Sequence, residues 1–149
     1  MLDQTIIGKT GSTFMFEVDK RHVKQFAQAI GDDNPLYTEP TYANQSPYNG
    51  LIAPPTFPVV AGVEGEGIEL DLDKKRMLHG EQSFIYHRPL KVGESLTCQI
   101  KVADLYEKEG KKGKMQFIIL DTEMRDTEGD LVVTSRMNII YTQPPVQAV

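Results

Sequence analysis

Large apolar residues alternate with polar ones over Thr13–Val18, which predicts a short strand. The period then changes. Asp19 is a good N-cap, and Val23, Phe26, Ala27 and Ile30 fall on one face of a helix from about Lys20 to Ile30. Gly31 suits the position just past its end, and Pro35 forbids continuation. Residues 34–58 then carry Pro35, Pro40, Pro47, Pro54, Pro55 and Pro58 with Tyr37, Tyr42 and Tyr48. So long a connection inside a compact domain is functional or disordered, and its aromatics argue for packed and functional. A helical turn is expected over Pro40–Asn44. Thr56–Val63 is apolar nearly all round and suits a helix buried on every side. Its valines also fit a strand, but Pro58 and Gly62 weaken a central one.

After Asp71 the period is two. Gln82–Arg88, Ser95–Tyr106, Lys114–Arg125 and Leu131–Tyr141 read as strands, joined by glycine-containing turns that predict hairpins. The expected fold is α+β: an antiparallel sheet of about five strands curled around a buried apolar helix. It fills one domain, 1–149, with a loose tail over 143–149. An open sheet of this kind exposes edges, so edge-to-edge dimerisation with a second copy or a homologue is expected.

The chain of 149 residues, 40% hydrophobic and 25% charged, matches one ordinary globular domain. A net charge of −5 argues against nucleic acid as a partner. Lys20-Arg21 and Lys111-Lys112-Gly113-Lys114 read as solvated charge. The single cysteine, Cys98, lies in an alternating apolar run and reads as core. No signal peptide stands out, and no apolar run approaches the roughly 18 residues of a membrane span. A cytoplasmic protein is expected, away from membranes.

Candidate chemistry concentrates at Gly31-Asp32-Asp33-Asn34-Pro35-Leu36-Tyr37, where a carboxylate, a carboxamide and a phenol share one turn. Asp32 reads either as an acid/base residue or as a turn residue making an Asx-type bond. Asn34 before Pro35 suits the same turn. Tyr37 reads as a hydrogen-bond donor or as an aromatic packed in the loop. His22 is expected at the surface, and His87 beside Arg88 likewise. No His, Asp or Glu pair has metal-ligand spacing, and no serine lies in a nucleophile elbow.

With Asn49–Phe57, His79–Phe84 and Arg88–Leu96, this turn resembles the MaoC-like, or R-specific hydratase, branch of the hot-dog fold, over about residues 14–141. The closest likeness is to the N-terminal MaoC dehydratase group, which includes non-catalytic partner subunits. The resemblance implies reversible hydration of a trans-2-enoyl thioester to an R-3-hydroxyacyl thioester. Coenzyme A or acyl carrier protein enters as part of the substrate, with no further cofactor and no metal. An Asp and a His should handle a water and its protons, backbone N–H groups should stabilise the enolate oxygen, and an apolar channel should take the acyl tail.

The chain departs from that pattern twice. Tyr37 stands at the histidine position, and a phenol is a poor base at neutral pH. Pro54 stands where active members carry a glycine N–H, and neither it nor Pro55 has one to donate. The resemblance makes Asp32, Asn34 and Tyr37 the catalytic candidates, with His79 either a replacement imidazole facing a dimer cleft or a structural histidine at a strand entrance. Pro54, Phe57, Val60, Gln82, Phe84 and Arg88 are candidates for substrate contact, and His87 beside Arg88 either touches a coenzyme A phosphate or stays exposed. Three readings follow: a dehydratase subunit paired with a catalytic hot-dog chain, a self-sufficient homodimeric hydratase using Asp32 with Tyr37 or His79, or a non-catalytic acyl-thioester binding module. The Asp-x-Asn-Pro segment argues against a thioesterase.

Overall fold

The computed structural model describes residues 1–64 and 67–144. Strand β1 (Phe14–Glu17) leads into helix α1 (Lys20–Ala29), followed by the short helices α2 (Pro40–Asn44) and α3 (Val59–Glu64). Strands β2 (Met77–Tyr86), β3 (Ser95–Gly110), β4 (Gly113–Arg125) and β5 (Leu131–Thr142) complete the fold. One five-stranded sheet results, in the order β1-β3-β4-β5-β2 and antiparallel at every pairing. Among the described residues no helix is long and apolar enough to cross a membrane.

Helix α1 begins and ends as its sequence dictates. The Asp19 carboxylate accepts the His22 N–H at 2.9 Å. At the other end Gly31 adopts φ +70°. Its N–H donates to the Gln28 carbonyl and that of Asp32 to the Ala27 carbonyl, at 3.1 and 2.9 Å. This paired closure satisfies the last carbonyls of the helix and turns the chain sharply into residues 32–37.

The sheet packs two apolar clusters. The first centres on Phe57, which has no exposed surface. Its ring lies 5.7 Å from Phe16, 5.1 Å from His22 and 5.4 Å from Phe26, centroid to centroid. The second holds Ile100, Val102, Leu105, Ile118 and Leu120. Helix α3, only six residues long, belongs to the first cluster. The second is packed instead by Leu2 and Ile6 from the N-terminal segment and by Ile68, Leu70 and Leu72.

Several expected boundaries move for physical reasons. The central helix starts at Val59 rather than Thr56, because Pro58 disfavours the helical conformation at Phe57 and 55–58 form turns instead. Strand β2 starts at Met77 rather than Gln82. A bulge between His79 and Glu81 breaks the alternation that marks a strand. It ends at Tyr86, ahead of the Arg88-Pro89 corner, rather than at Arg88. Strands β3 and β4 run on to Gly110 and Gly113, because the charged residues expected in a loop pair across an exposed ribbon, Glu109 opposite Lys114. Of the expected loose tail, Gln143 and Pro144 are exposed and residues 145–149 lie outside the described ones.

Phe57→Ala should lower the unfolding free energy by about 3–5 kcal/mol, since one truncation empties the meeting point of β1, α1 and the pre-helix turn. Urea unfolding followed by circular dichroism checks it; a loss under about 1 kcal/mol would mean the cluster collapses around the hole.

Candidate functional site

The turn after α1 is held by its own side chains. The Asp32 carboxylate accepts the Asn34 N–H at 3.1 Å, the Asn34 amide oxygen accepts the Leu36 N–H at 3.0 Å, and the Tyr37 N–H donates to the Asn34 carbonyl at 3.1 Å. Two successive Asx-type bonds thus set the direction of the Tyr37 ring. Leu36 in turn accepts the Ile52 N–H, and the Ala53 N–H donates to the Leu90 carbonyl. These bonds bring 34–37, 52–55 and 86–89 together around a cavity of about 390 Å³. Asn34, Tyr37 and Tyr48 supply polar groups along with Tyr86, His87 and Arg88, while Leu36, Ile52, Ala53, Pro55 and Pro89 make the apolar walls.

Tyr37 is nearly buried, and burial followed by the nearby Asp32 carboxylate pushes its phenol above the ordinary value, with the Asn34 side chain opposing. Burial, and after it Tyr37, also raises the Tyr86 phenol, whose hydroxyl donates to the Pro55 carbonyl. Both phenols therefore stay protonated at neutral pH and can donate hydrogen bonds but cannot accept a proton as bases.

The other candidates are distributed unevenly. Asp32 lines an adjoining depression of about 500 Å³ with Lys24, Gln28, Gly31, Asp33 and Glu39, not the cavity beside Tyr37. His79 is exposed near the start of β2, seven residues before Tyr86 and so roughly 20 Å from the cavity of its own protomer. Pro54 is buried, and its carbonyl accepts the Phe57 N–H. Between Ala53 and Phe57, two prolines bring no N–H and the amides of Ala53 and Phe57 already donate. Among the described residues this leaves the Thr56 N–H without a bond. Phe57 is sealed in the core, while Val60 and Phe84 pack partly buried against it. The Gln82 amide donates to the Ser135 hydroxyl at 2.8 Å.

The Arg88 guanidinium grips both Glu94 carboxylate oxygens, at 2.7 and 2.9 Å, and reaches Asp126 at 3.4 Å. Its charge is thus matched within the protein. Tyr86 and Tyr48 escaped the sequence-based candidates. Tyr86 follows Gln82 and Phe84 at period two on one face of the sheet, which is the signal that points to it. Among the described residues no cluster of His, Cys, Asp and Glu could hold a metal ion.

A family model described as "FAS1-like, dehydratase domain region" matches residues 5–135. A UPF0336 protein from Thermobifida fusca is 40% identical over 125 residues, covering 80% of each chain. Among solved structures, a chain of the C-terminally truncated HadBC (3R-hydroxyacyl-ACP dehydratase) complex from Mycobacterium tuberculosis superposes with TM-score 0.77 at 19% identity, covering 91% of this chain and 96% of that one. The ChsH1–ChsH2 complex from the same organism gives TM-score 0.74 at 20% identity, covering 91% of this chain and 85% of that chain. The fold is the hot-dog fold of these proteins.

Both raised phenols ionise more readily once the chain unfolds. Their contribution to stability is therefore intact below the ordinary phenol value of about 10 and is lost as pH rises through the higher folded-state values. Urea midpoints should stay level for these groups through neutral pH and fall in the alkaline range, less steeply in Tyr86→Phe. An equal alkaline loss in that variant would remove Tyr86 as a cause.

Proposed function

Since the chain belongs to the FAS1-like dehydratase-domain family, together with the UPF0336 proteins, we propose that it is a subunit of an R-3-hydroxyacyl-thioester dehydratase. Its partner would be a second hot-dog chain that carries the intact acid/base pair. The reversible reaction is addition or removal of water across C2–C3 of an acyl thioester. The carrier thiol, of coenzyme A or acyl carrier protein, is part of the substrate, and no other cofactor is required.

One observation carries this reading: the cavity beside Tyr37 is lined by phenols where the chemistry needs a base, and Asp32 is not among its lining residues. Dehydration needs one group to take the C2 proton and a donor to help the 3-hydroxyl depart. Asn34 and the two phenols can bind and orient a thioester but cannot relay its protons. The prolines before α3 also thin out the amides that would face an enolate oxygen. What remains is a binding surface: an apolar pocket with a few hydrogen-bond donors, suited to a carrier arm or to an acyl tail whose chemistry occurs on the partner. Solved hot-dog neighbours that are named as complexes, HadBC and ChsH1–ChsH2, favour a partnered arrangement.

The purified chain alone should hydrate trans-2-enoyl-CoA at least about 100-fold more slowly than the same chain co-expressed with its hot-dog partner, the factor that a missing general acid/base commonly costs. Asp32→Ala in this chain should leave the complex within about twofold of its rate, and Tyr37→His should not rescue the chain alone, because Pro54 and Pro55 still bring no amide to an enolate oxygen. Activity of the isolated chain that disappears in Asp32→Ala would replace this reading with the self-sufficient homodimer. Thioester binding without turnover in any pairing would replace it with the binding module.

A further inference from the structure

The two margins of the sheet are treated differently. On one side β2 is the last strand, and Leu78 and Ile85 stand exposed along it. On the other side β1 is only four residues long and pairs with Ser95–Cys98, so it could not by itself cover the sixteen-residue β3. The N-terminal segment takes over where β1 stops. The Gly11 N–H donates to the Ile100 carbonyl, Val102 N–H to Lys9, and Gly8 N–H to Val102, at 2.9, 2.9 and 2.8 Å. Further on, the Gln4 side chain donates to the Leu105 carbonyl at 3.0 Å.

This segment is anchored at both ends. Gln116, with no exposed surface, holds Leu2 by a reciprocal pair of 2.7 Å bonds: its amide oxygen accepts the Leu2 N–H and its amide nitrogen donates to the Leu2 carbonyl. Leu2 and Ile6 pack on the second core cluster. Gly11 passes so close to Gly67 that a Cβ there would stand 1.3 Å from the Gly67 oxygen, so no other residue fits.

We propose that residues 1–11 are an edge cap. They close the β3 margin so that sheet pairing is confined to β2, and the chain docks one sheet partner instead of propagating into a longer sheet. A continuous open margin on both sides would let each docked chain recruit another, as unprotected edges do. With the cap in place, assembly stops at two sheets joined through β2. The nature of that β2 partner rests on the subunit reading above, but the cap does not, and the test needs no partner and no activity.

In the full-length protein, Gly11→Val should expel the cap, and Gln116→Leu should release its start. By hydrogen exchange, the Val102 amide should become at least tenfold faster in the lightest species of each variant. By light scattering coupled to gel filtration, both should form species heavier than wild type that grow with concentration, and in those species Val102 should be protected again by a new strand. A retained near-ultraviolet dichroism spectrum identifies the folded variant to be read. Faster Val102 exchange with an unchanged mass overturns the proposal. So do heavier species in which Val102 stays unprotected, and so does full protection of Val102 in both variants.

Discussion

Everything near the site hangs on one buried ring. Phe57 touches Phe16 on β1 and both His22 and Phe26 on α1, and it ends the proline-rich turn that leads into α3. Because that ring cannot move without opening the core, the preceding residues 51–55 have little freedom. They are further pinned by Leu90 and Val92 through backbone bonds. The cavity wall is therefore set by packing, and the loop that forms it inherits its rigidity from the core rather than from its own sequence.

That rigidity changes what the altered residues mean. In a mobile loop, Asp32 could take several orientations relative to Tyr37. Here the α1 closure fixes Gly31, the carboxylate is spent on the Asn34 amide, and Asn34 is spent on Leu36. Each bond is individually modest, about 1 kcal/mol. Several of them in six residues, backed by a helix end on one side and a buried tyrosine on the other, make one conformation strongly preferred. The turn thus holds Asn34 and Tyr37 against the cavity in one arrangement.

The helices and the hairpin order were legible in the sequence wherever a local rule acts alone. Asp19, Gly31 and Pro35 bracket α1 by capping and by steric exclusion, and the turn at Pro40–Asn44 appears as expected. Failures came where tertiary contacts overrule the local pattern. The β2 bulge hides His79 from a period-two reading, and no periodic signal marks residues 1–11 because their partner strand supplies the order. Tyr86 was overlooked because its role depends on Pro55, thirty-one positions away in the chain. The motif residues themselves were easy to find. Which depression each one lines was not, since the walls come from 52–55 and 86–89, distant in the chain.

The remaining step of synthesis concerns where the cavity lies in the sheet. Its third wall, Tyr86–Pro89, begins at the last residue of β2, which is also the uncapped margin. An antiparallel neighbour paired along β2 would set the beginning of its own edge strand beside this wall, because strands that run in opposite directions place start against finish. By the same geometry the beginning of this chain's β2, with exposed His79, would lie beside the corresponding end of the neighbour. Docking at the margin and the cavity would then share a strand, and a contact made there would be felt at Tyr86 and, through Pro55, at the turn before α3. A site assembled this way would be half-built in each protomer.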